Sequence, residues 1–255
     1  SDLDHVHYLR TLDEGHAIEA ALGEGKNLVV IGGGFIGLEV AASARQRGGS
    51  VTVLEIADRL MGRGVPHLIS QYFLDLHRGN GVDIRLGTGV ERIDGDGAVS
   101  GVTTSMGERL DADMVVIGVG IIPETVLAED AGLKVENGIV VDEFCRTSAT
   151  DIYAAGDVTS HFSHFAGRHI RLEAWQCAQN MAIAAAKVMC GEEAAYSEVP
   201  WMWSDQFDTN LQVAGLPDSW DNIVGRGDAA SGNYIGFVLD GGKIAGAIAL
   251  NQPRD

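Results

Sequence analysis

Apolar and polar residues follow one another along this chain in a pattern that predicts strands alternating with helices. An apolar run at residues 28–31 precedes a glycine-rich stretch and a helix-forming segment at 38–47. A second apolar run at 50–54 follows, and an amphipathic segment at 67–78 leads to a strand-like run at 83–86. Period-two runs alternating with helical spacing are typical of βαβ units. The pattern therefore predicts a parallel sheet covered by helices.

Three short strand-like runs then predict an antiparallel meander, at residues 90–94, 98–104 and 108–110. The continuous apolar run at 114–118 is typical of a parallel strand buried on both faces. The residues before the first strand, 3–25, are predicted to be a connector with an extended entry and a short helix.

The pattern of apolar and polar residues changes near residue 120. Strand-like runs at 139–141 and 152–155 precede a long predicted helix at 174–189. From residue 200 onwards, turn residues separate five strand-like runs at 201–206, 211–214, 223–227, 234–239 and 244–250. These runs predict an antiparallel sheet.

Glycines at positions 32, 34 and 37 lie between the first strand and the first helix of the parallel sheet, with Phe35 and Ile36 among them. In this context, Gly32 permits a sharp turn, Gly34 lets a pyrophosphate approach the backbone, and Gly37 lets the helix pack on the strand. The helix N-terminus then favours negative charge. The segment predicts a dinucleotide site.

Glu55 ends the second strand, 18 positions after Gly37 (55 minus 37). This is where such folds place an acid that binds the adenosine ribose, and a carboxylate there favours NADH over NADPH. The alternative is a solvated carboxylate at a strand end. The nearby Arg59 and Arg63 leave NADPH open as a ligand.

Composition narrows the function further. The 255 residues carry a formal net charge of −18, which disfavours nucleic acid and anionic membranes as partners. We find no run as long as the ~20 apolar residues of a membrane span, so the expected location is the cytoplasm. Three dispersed cysteines form neither a disulfide framework nor a zinc motif.

Four segments together resemble a known family, the FAD-dependent pyridine nucleotide reductases, in particular the NADH-dependent ferredoxin reductases that serve oxygenases. Residues 32–39 resemble its NADH fingerprint, and 118–123 resemble the segment that leaves the NAD domain. Residues 147–157 resemble its second FAD motif, and 201–206 resemble the start of its C-terminal interface domain.

The resemblance implies an α/β fold with a Rossmann-like NAD domain, the second half of an FAD domain and a partial α+β C-terminal interface domain. The corresponding boundaries are 1–119, 120–197 and 198–255. Because only one glycine fingerprint is present and the C-terminal domain ends early, we expect a fragment of a longer protein.

The resemblance also implies roles for residues outside the glycine turn. Glu39 would lie near the nicotinamide carboxamide, although compensation of the helix dipole alone explains an acid there. Asp157 would bind the ribityl chain of FAD, the alternative being a plain Gly-Asp turn. The remaining candidates for cofactor binding are Arg63, Gly118, Gly120, Gly156, Glu173, Ala174 and Trp175.

Glu173, Ala174 and Trp175 begin the helix whose N-terminus would face the flavin ring, and Trp175 is large enough to cover that ring. Alternatively, Glu173 caps the helix and Trp175 lies in the core. His161, His164 and His169 are expected in a solvated loop, with no evident carboxylate partner and no metal.

The implied activity is transfer of electrons from NADH through FAD to a small iron–sulfur protein, a ferredoxin or a rubredoxin-like acceptor. The absence of a C-x-x-C motif counts against a thioredoxin reductase. An NADH oxidase, a disulfide reductase of the same superfamily and a truncated NAD-binding module without turnover stay open as alternatives. The net charge of −18 is a poor match for an acidic ferredoxin unless basic residues cluster locally.

Overall fold

The computed structural model describes residues 2–216 and 220–252. Within them the strands are β1 (Val6–Tyr8), β2 (Asn27–Ile31), β3 (Ser50–Leu54), β4 (Asp83–Arg85), β5 (Val90–Asp96), β6 (Ala98–Thr104), β7 (Arg109–Asp111), β8 (Met114–Ile117), β9 (Ile139–Val141), β10 (Thr159–Ser163), β11 (Arg168–Ile170), β12 (Trp201–Gln206), β13 (Thr209–Gly215), β14 (Asn222–Asp228), β15 (Asn233–Asp240) and β16 (Lys243–Leu250). The helices are α1 (Leu12–Ala21), α2 (Phe35–Gln46), α3 (His67–Gly79), α4 (Val126–Asp130) and α5 (Trp175–Met189), with a 3₁₀ turn at Ala229–Ser231.

The first unit is built on a five-stranded parallel sheet in the order β1-β8-β2-β3-β4. Its central strands are buried on both faces, so they are continuous apolar runs rather than alternating ones. The predicted βαβ order is confirmed. The antiparallel meander β5-β6-β7 also forms as predicted.

The N-terminal segment contributes more than a connector. Its β1 strand pairs in parallel with β8 and forms one edge of the sheet, with Val6 opposite Val115. The prediction of an extended entry followed by a short helix is confirmed, but its assignment to a connector was wrong. Three residues are too few to show strand periodicity in the sequence.

The second unit pairs β9 in parallel with β10, which in turn forms a hairpin with β11. The helix predicted at 174–189 is confirmed as α5. The strand predicted at 152–155 was wrong, because this segment makes only an isolated bridge between Tyr153 and Arg146. The loop predicted around the histidines was also wrong, since it contains β10 and β11.

The third unit is a five-stranded antiparallel sheet in the order β12-β13-β16-β15-β14, as predicted. One face of this sheet packs on helices of the first unit, and Leu211, Val213 and Val238 join the same apolar core as Ile69 and Phe73. The boundaries at 119 and 197 stay predictions. Within the described residues, no helix is long and apolar enough to cross a membrane.

Candidate functional site

The glycine turn after β2 is fixed by close backbone contacts. Gly32 has φ of +107°, and its N–H donates to the Leu54 carbonyl of β3 at 2.8 Å. A Cβ at Gly32 would lie 2.4 Å from the Gly118 carbonyl oxygen, and one at Gly37 would lie 2.2 Å from the Gly32 carbonyl oxygen. Neither position has room for a side chain. The turn therefore joins β2, α2 and the end of β8 at van der Waals distance.

Gly34, by contrast, faces open space. A Cβ there would meet only the Gly118 oxygen, at 4.0 Å. Gly34 is the N-cap of α2, so this helix begins at Phe35, three residues before the predicted start. The N–H groups of the first helical turn, those of Phe35, Ile36 and Gly37, have no intrahelical acceptor. They border the open side of the turn.

Glu55 is fixed at the same turn. Its Oε2 accepts the Gly33 N–H at 2.6 Å, and its Oε1 accepts the Ala57 N–H at 2.7 Å. Both carboxylate oxygens are thus oriented by backbone donors, and each retains a lone pair for a further donor. This arrangement replaces the alternative of a freely solvated carboxylate at a strand end.

The two arginines near Glu55 differ in their availability. The terminal nitrogens of Arg59 donate to the carbonyls of Val65 (2.7 Å) and Gly62 in its own loop and to the Ser70 hydroxyl of α3 (3.1 Å). Arg63 is exposed, and its Nη2 lies 3.8 Å from where a Cβ on Gly120 would be. Arg59 therefore stabilises its own loop, whereas the Arg63 side chain lies beside the segment after β8.

Glu39 lies in the second turn of α2 and faces β12 of the third unit. The Ser204 hydroxyl donates to Glu39 Oε1 at 2.5 Å. Burial raises the pKa of Glu39, and the nearby Asp205 carboxylate adds to this, while the Ser204 hydrogen bond opposes it. The side chain is therefore bound to β12, which dipole compensation alone does not explain.

The second candidate region surrounds Gly156 and Asp157. Gly156 has φ of +84°, and a Cβ there would lie 3.3 Å from the Ala178 Cβ of α5. The Gly156 carbonyl accepts both the N–H and the hydroxyl of Thr159, at 2.9 and 2.7 Å. Burial and the charge of Glu173 raise the pKa of Asp157. The carboxyl group is thus held in a partly desolvated position close to α5.

The start of α5 overturns two alternatives left open by the sequence. Ala174 is the N-cap and no side chain caps the helix, while Glu173 pairs instead with Arg171 at 2.8 Å. Trp175 is 63% exposed, so it does not lie in the core, and its ring centroid is 6.0 Å from that of Trp203. The uncapped helix end and the exposed indole remain available to a ligand.

One residue of this region was missed by the sequence analysis. The charge of Arg10, in the segment between β1 and α1, lowers the pKa of Asp157 and so opposes the effect of burial. The two residues are 147 positions apart (157 minus 10), and no local motif marks the arginine. Only the folding of the N-terminal segment onto the sheet brings its charge to Asp157.

The histidines of the second unit also differ from expectation. His164 contacts the Glu143 carboxylate at 2.7 Å, a partner not expected from the sequence. His161 is buried in β10 beside the Tyr196 ring, at 5.3 Å between centroids. Burial lowers the pKa of His161 to about 4. Among the described residues, no group of three or more His, Cys, Asp or Glu is placed to hold a metal ion.

Comparison with known families agrees with this geometry. Residues 1–182 match the family model described as pyridine nucleotide-disulphide oxidoreductase, and residues 201–255 match the one described as reductase C-terminal. The chain belongs to the pyridine nucleotide-disulphide oxidoreductase family. The expected α/β fold with parallel and antiparallel sheets is thereby confirmed.

Individual relatives point to one branch of this family. The chain is 46% identical to the anthranilate 1,2-dioxygenase system ferredoxin–NAD(+) reductase component of Burkholderia cepacia, and 43% identical to rhodocoxin reductase of Rhodococcus erythropolis. These alignments cover 98% and 100% of this chain, but 62% and 60% of the relatives. The covalent putidaredoxin reductase–putidaredoxin complex has a similar fold, with a TM-score of 0.96, 38% identity and coverage of 99% of this chain and 61% of that one.

The cysteines of this family member do not suit the disulphide chemistry in the family's name. Cys145 and Cys177 are buried, and burial raises the pKa of Cys145 to about 11 and also raises that of Cys177. Reactive thiols require a lowered pKa and access to solvent. Cys190 is exposed, but it is 13 positions from Cys177 (190 minus 177), so the two do not form a C-x-x-C pair.

The open space at Gly34 leads to a test of the glycine turn. We expect Gly34→Ala to change the free energy of unfolding by less than about 1 kcal/mol, because its φ of −82° suits alanine. The added methyl occupies the space needed by a pyrophosphate, so NADH affinity should fall at least about tenfold. Gly37→Ala should instead cost about 1–3 kcal/mol of stability through overpacking. Urea unfolding measures the stability of the two variants, and calorimetry measures their NADH affinity. Normal NADH binding by Gly34→Ala would contradict the assignment of Gly34 to the pyrophosphate site.

The depressed pKa of His161 predicts a pH dependence of stability. The folded state disfavours the charged ring, so the unfolded state binds more protons between pH 6.5 and about 4. Stability is therefore full above pH 6.5 and falls as the pH drops towards 4, by on the order of 3 kcal/mol from this group. Between pH 7 and 4.5, we expect the free energy of unfolding of His161→Phe to fall by about 2–3 kcal/mol less than that of the unmodified chain. Equal losses in urea unfolding would show that His161 does not control this dependence.

Proposed function

We propose that this chain is part of an NADH-dependent flavoprotein reductase, which transfers electrons from NADH through FAD to a small iron–sulfur acceptor such as a ferredoxin or a rubredoxin-like protein. The observation that carries the proposal is the open glycine turn at Gly34 beside a carboxylate, Glu55, that the backbone holds in place. The names of the ferredoxin–NAD(+) reductase component and rhodocoxin reductase support the same activity. The chain spans about three-fifths of the length of these relatives.

In this proposal the first unit binds NADH. The N–H groups at the start of α2 and the backbone at Gly34 receive the pyrophosphate, because unpaired amides and the helix dipole both favour anions. Glu55 accepts hydrogen bonds from the adenosine ribose hydroxyls. Arg63 and Gly120 border the path of the dinucleotide, and Glu39 faces the nicotinamide carboxamide.

The second unit binds part of FAD, which when bound accepts a hydride and releases electrons one at a time. The turn at Gly156 is compact, and Asp157 beside it accepts hydrogen bonds from the ribityl hydroxyls. The uncapped N-terminus of α5, at Ala174, favours negative charge on the pyrimidine edge of the ring. The exposed Trp175 is available to cover the ring, and Glu173 stays paired with Arg171.

The names of the relatives and a group of exposed aromatic side chains support the proposed electron acceptor. Trp175, Trp203 and Trp201 form a chain of rings with centroids 6.0 and 5.1 Å apart, and the first two are 63% and 38% exposed. Exposed aromatic groups of this kind are enriched at protein interfaces. A cytoplasmic location suits a reductase that uses NADH. The disulfide reductase alternative is less favoured, because the similar relatives are named as ferredoxin and rhodocoxin reductases.

The carboxylate at Glu55 predicts the preference for NADH. The chain should bind NADH about ten- to a hundredfold more tightly than NADPH, because NADPH lacks the 2′-hydroxyl that donates to Glu55 and places a negatively charged 2′-phosphate beside this carboxylate. Glu55→Ala should narrow this ratio by weakening NADH, whereas the nearby exposed Asp58→Ala should leave it unchanged. Calorimetric titration measures both ratios. Equal affinities in the unmodified chain would refute the assignment of Glu55.

Flavin binding gives a separate test of the second unit. In the protein extended to the full length of its relatives, Asp157→Ala should weaken FAD about tenfold or more, because hydrogen bonds to a carboxylate are each worth about 1.5–3 kcal/mol. Glu143→Gln, which changes an exposed carboxylate of the same unit, is the control. Quenching of flavin fluorescence measures the affinity. Unchanged FAD binding by Asp157→Ala would remove the assignment of this residue without affecting the NADH site.

A further inference from the structure

A row of buried polar side chains crosses the interface between the first and third units. His77 Nε2 lies 2.9 Å from Gln206 Oε1, and Gln206 Nε2 donates to the Ser204 hydroxyl at 3.0 Å. The Ser204 hydroxyl in turn donates to Glu39 Oε1 at 2.5 Å. His77, Gln206 and Ser204 are all 0% exposed. The row thus connects α3 to α2 through two side chains of β12.

The direction of these hydrogen bonds is fixed by the chemistry of the groups. An ionised carboxylate only accepts, so the Ser204 hydroxyl must donate to Glu39 and accept from the Gln206 amide. The Gln206 oxygen then accepts from His77, which must carry its proton on Nε2. Burial lowers the pKa of His77, and its Nδ1 is buried without a partner, as expected for the neutral ring. Every donor along the row therefore points towards Glu39.

Packing alone does not require polar side chains along this row. The interface that it crosses is mostly the apolar core shared by the two units, with one further hydrogen bond between Tyr72 and Thr209. Buried polar groups cost stability unless they are fully paired, and apolar side chains of similar volume commonly serve as well. The row ends on Glu39, the acidic residue of α2. Two side chains of the third unit therefore determine the position of a carboxylate in the first.

We propose that Ser204 and Gln206 are positioning residues of the NADH site, which hold the Glu39 carboxylate ready to accept the N–H of the nicotinamide carboxamide. This inference rests on the proposed function, because it takes Glu39 to face the nicotinamide. A carboxylate accepts about four hydrogen bonds, so Ser204 leaves capacity for the ligand. Fixing the side chain in advance removes the entropic cost of ordering it when the nucleotide binds. The third unit thereby contributes to dinucleotide binding without touching the nucleotide.

Ser204→Ala tests the proposal, because it removes the donor to Glu39 while leaving Glu39 in place. The matched control is Thr209→Val, which removes the partly buried 2.7 Å hydrogen bond between Thr209 and Tyr72 across the same interface, from the adjacent β13 to α3. Each variant of the 255-residue chain is titrated by calorimetry with NADH and with ADP-ribose. ADP-ribose keeps the adenosine and pyrophosphate but lacks the nicotinamide. A general loss of structure affects both ligands, whereas loss of Glu39 positioning affects NADH alone.

We expect Ser204→Ala to weaken NADH about three- to tenfold and to leave ADP-ribose unchanged. Thr209→Val should leave both affinities unchanged, although it lowers stability. Equal weakening of both ligands by Ser204→Ala, or no weakening of NADH, would overturn the proposal. Failure of the unmodified chain to bind ADP-ribose would instead refute the proposed dinucleotide site itself.

Two further variants keep the test decisive. If Ser204→Ala does not fold, Ser204→Cys replaces it, since the thiol has similar volume and is a much weaker donor. Gln206→Leu should weaken NADH less than the serine variant, because Ser204 can still donate to Glu39 in its absence. If Gln206→Leu weakened NADH more than Ser204→Ala did and left ADP-ribose unchanged, the order of the row would be contradicted.

Discussion

Close backbone contact among β2, α2 and β8 is the constraint on which the rest of the first unit depends. The Gly32 and Gly118 backbones meet where a Cβ would be 2.4 Å from an oxygen, and Gly37 meets Gly32 at a similarly short distance. No other residue type permits these approaches without moving a strand or the helix. Because the helix is held so close to the sheet, its first N–H groups open towards the end of β2, and Glu55 at the end of β3 lies within hydrogen-bond reach of the same turn.

The third unit shares a single apolar core with the first, so the candidate NADH site is supported from two directions. The sheet supplies the glycine turn and Glu55, while β12 meets α2 on its other side and orients Glu39. Burial of a carboxylate is costly, and here the cost is offset by donors from the facing strand. The same interface makes the position of the Glu39 side chain depend on Ser204, a residue 165 positions away along the chain.

The sequence was sufficient to predict the βαβ order, the meander, α5 and the five-stranded C-terminal sheet, because each has a clear apolar period or a turn signal. The strands β1, β10 and β11 escaped prediction. The strand β10 contains buried Thr159, Ser160, His161 and Ser163, so its composition resembles that of a loop. In the candidate site, Gly32, Gly34, Gly37 and Glu55 were recognisable from spacing. Arg10, Ser204 and Gln206 were not assigned to it, because their roles arise from contacts between units that local sequence does not encode.

The placement of β8 between β1 and β2 has a consequence for the order of assembly. The strand β1 precedes β2 along the chain, yet its hydrogen-bonding partner β8 follows it by 109 positions, as in the pairing of Val6 with Val115 (115 minus 6). Neighbours β2 and β3 are separated by far less chain, with Leu28 opposite Val51. A long loop must close, at a cost in entropy, before strands so far apart in sequence can pair, and folding is slower as a result. During synthesis, the edge of β2 that receives β8 therefore remains unpaired until the whole meander has emerged, and β1, which pairs with β8, cannot join the sheet before β8 does.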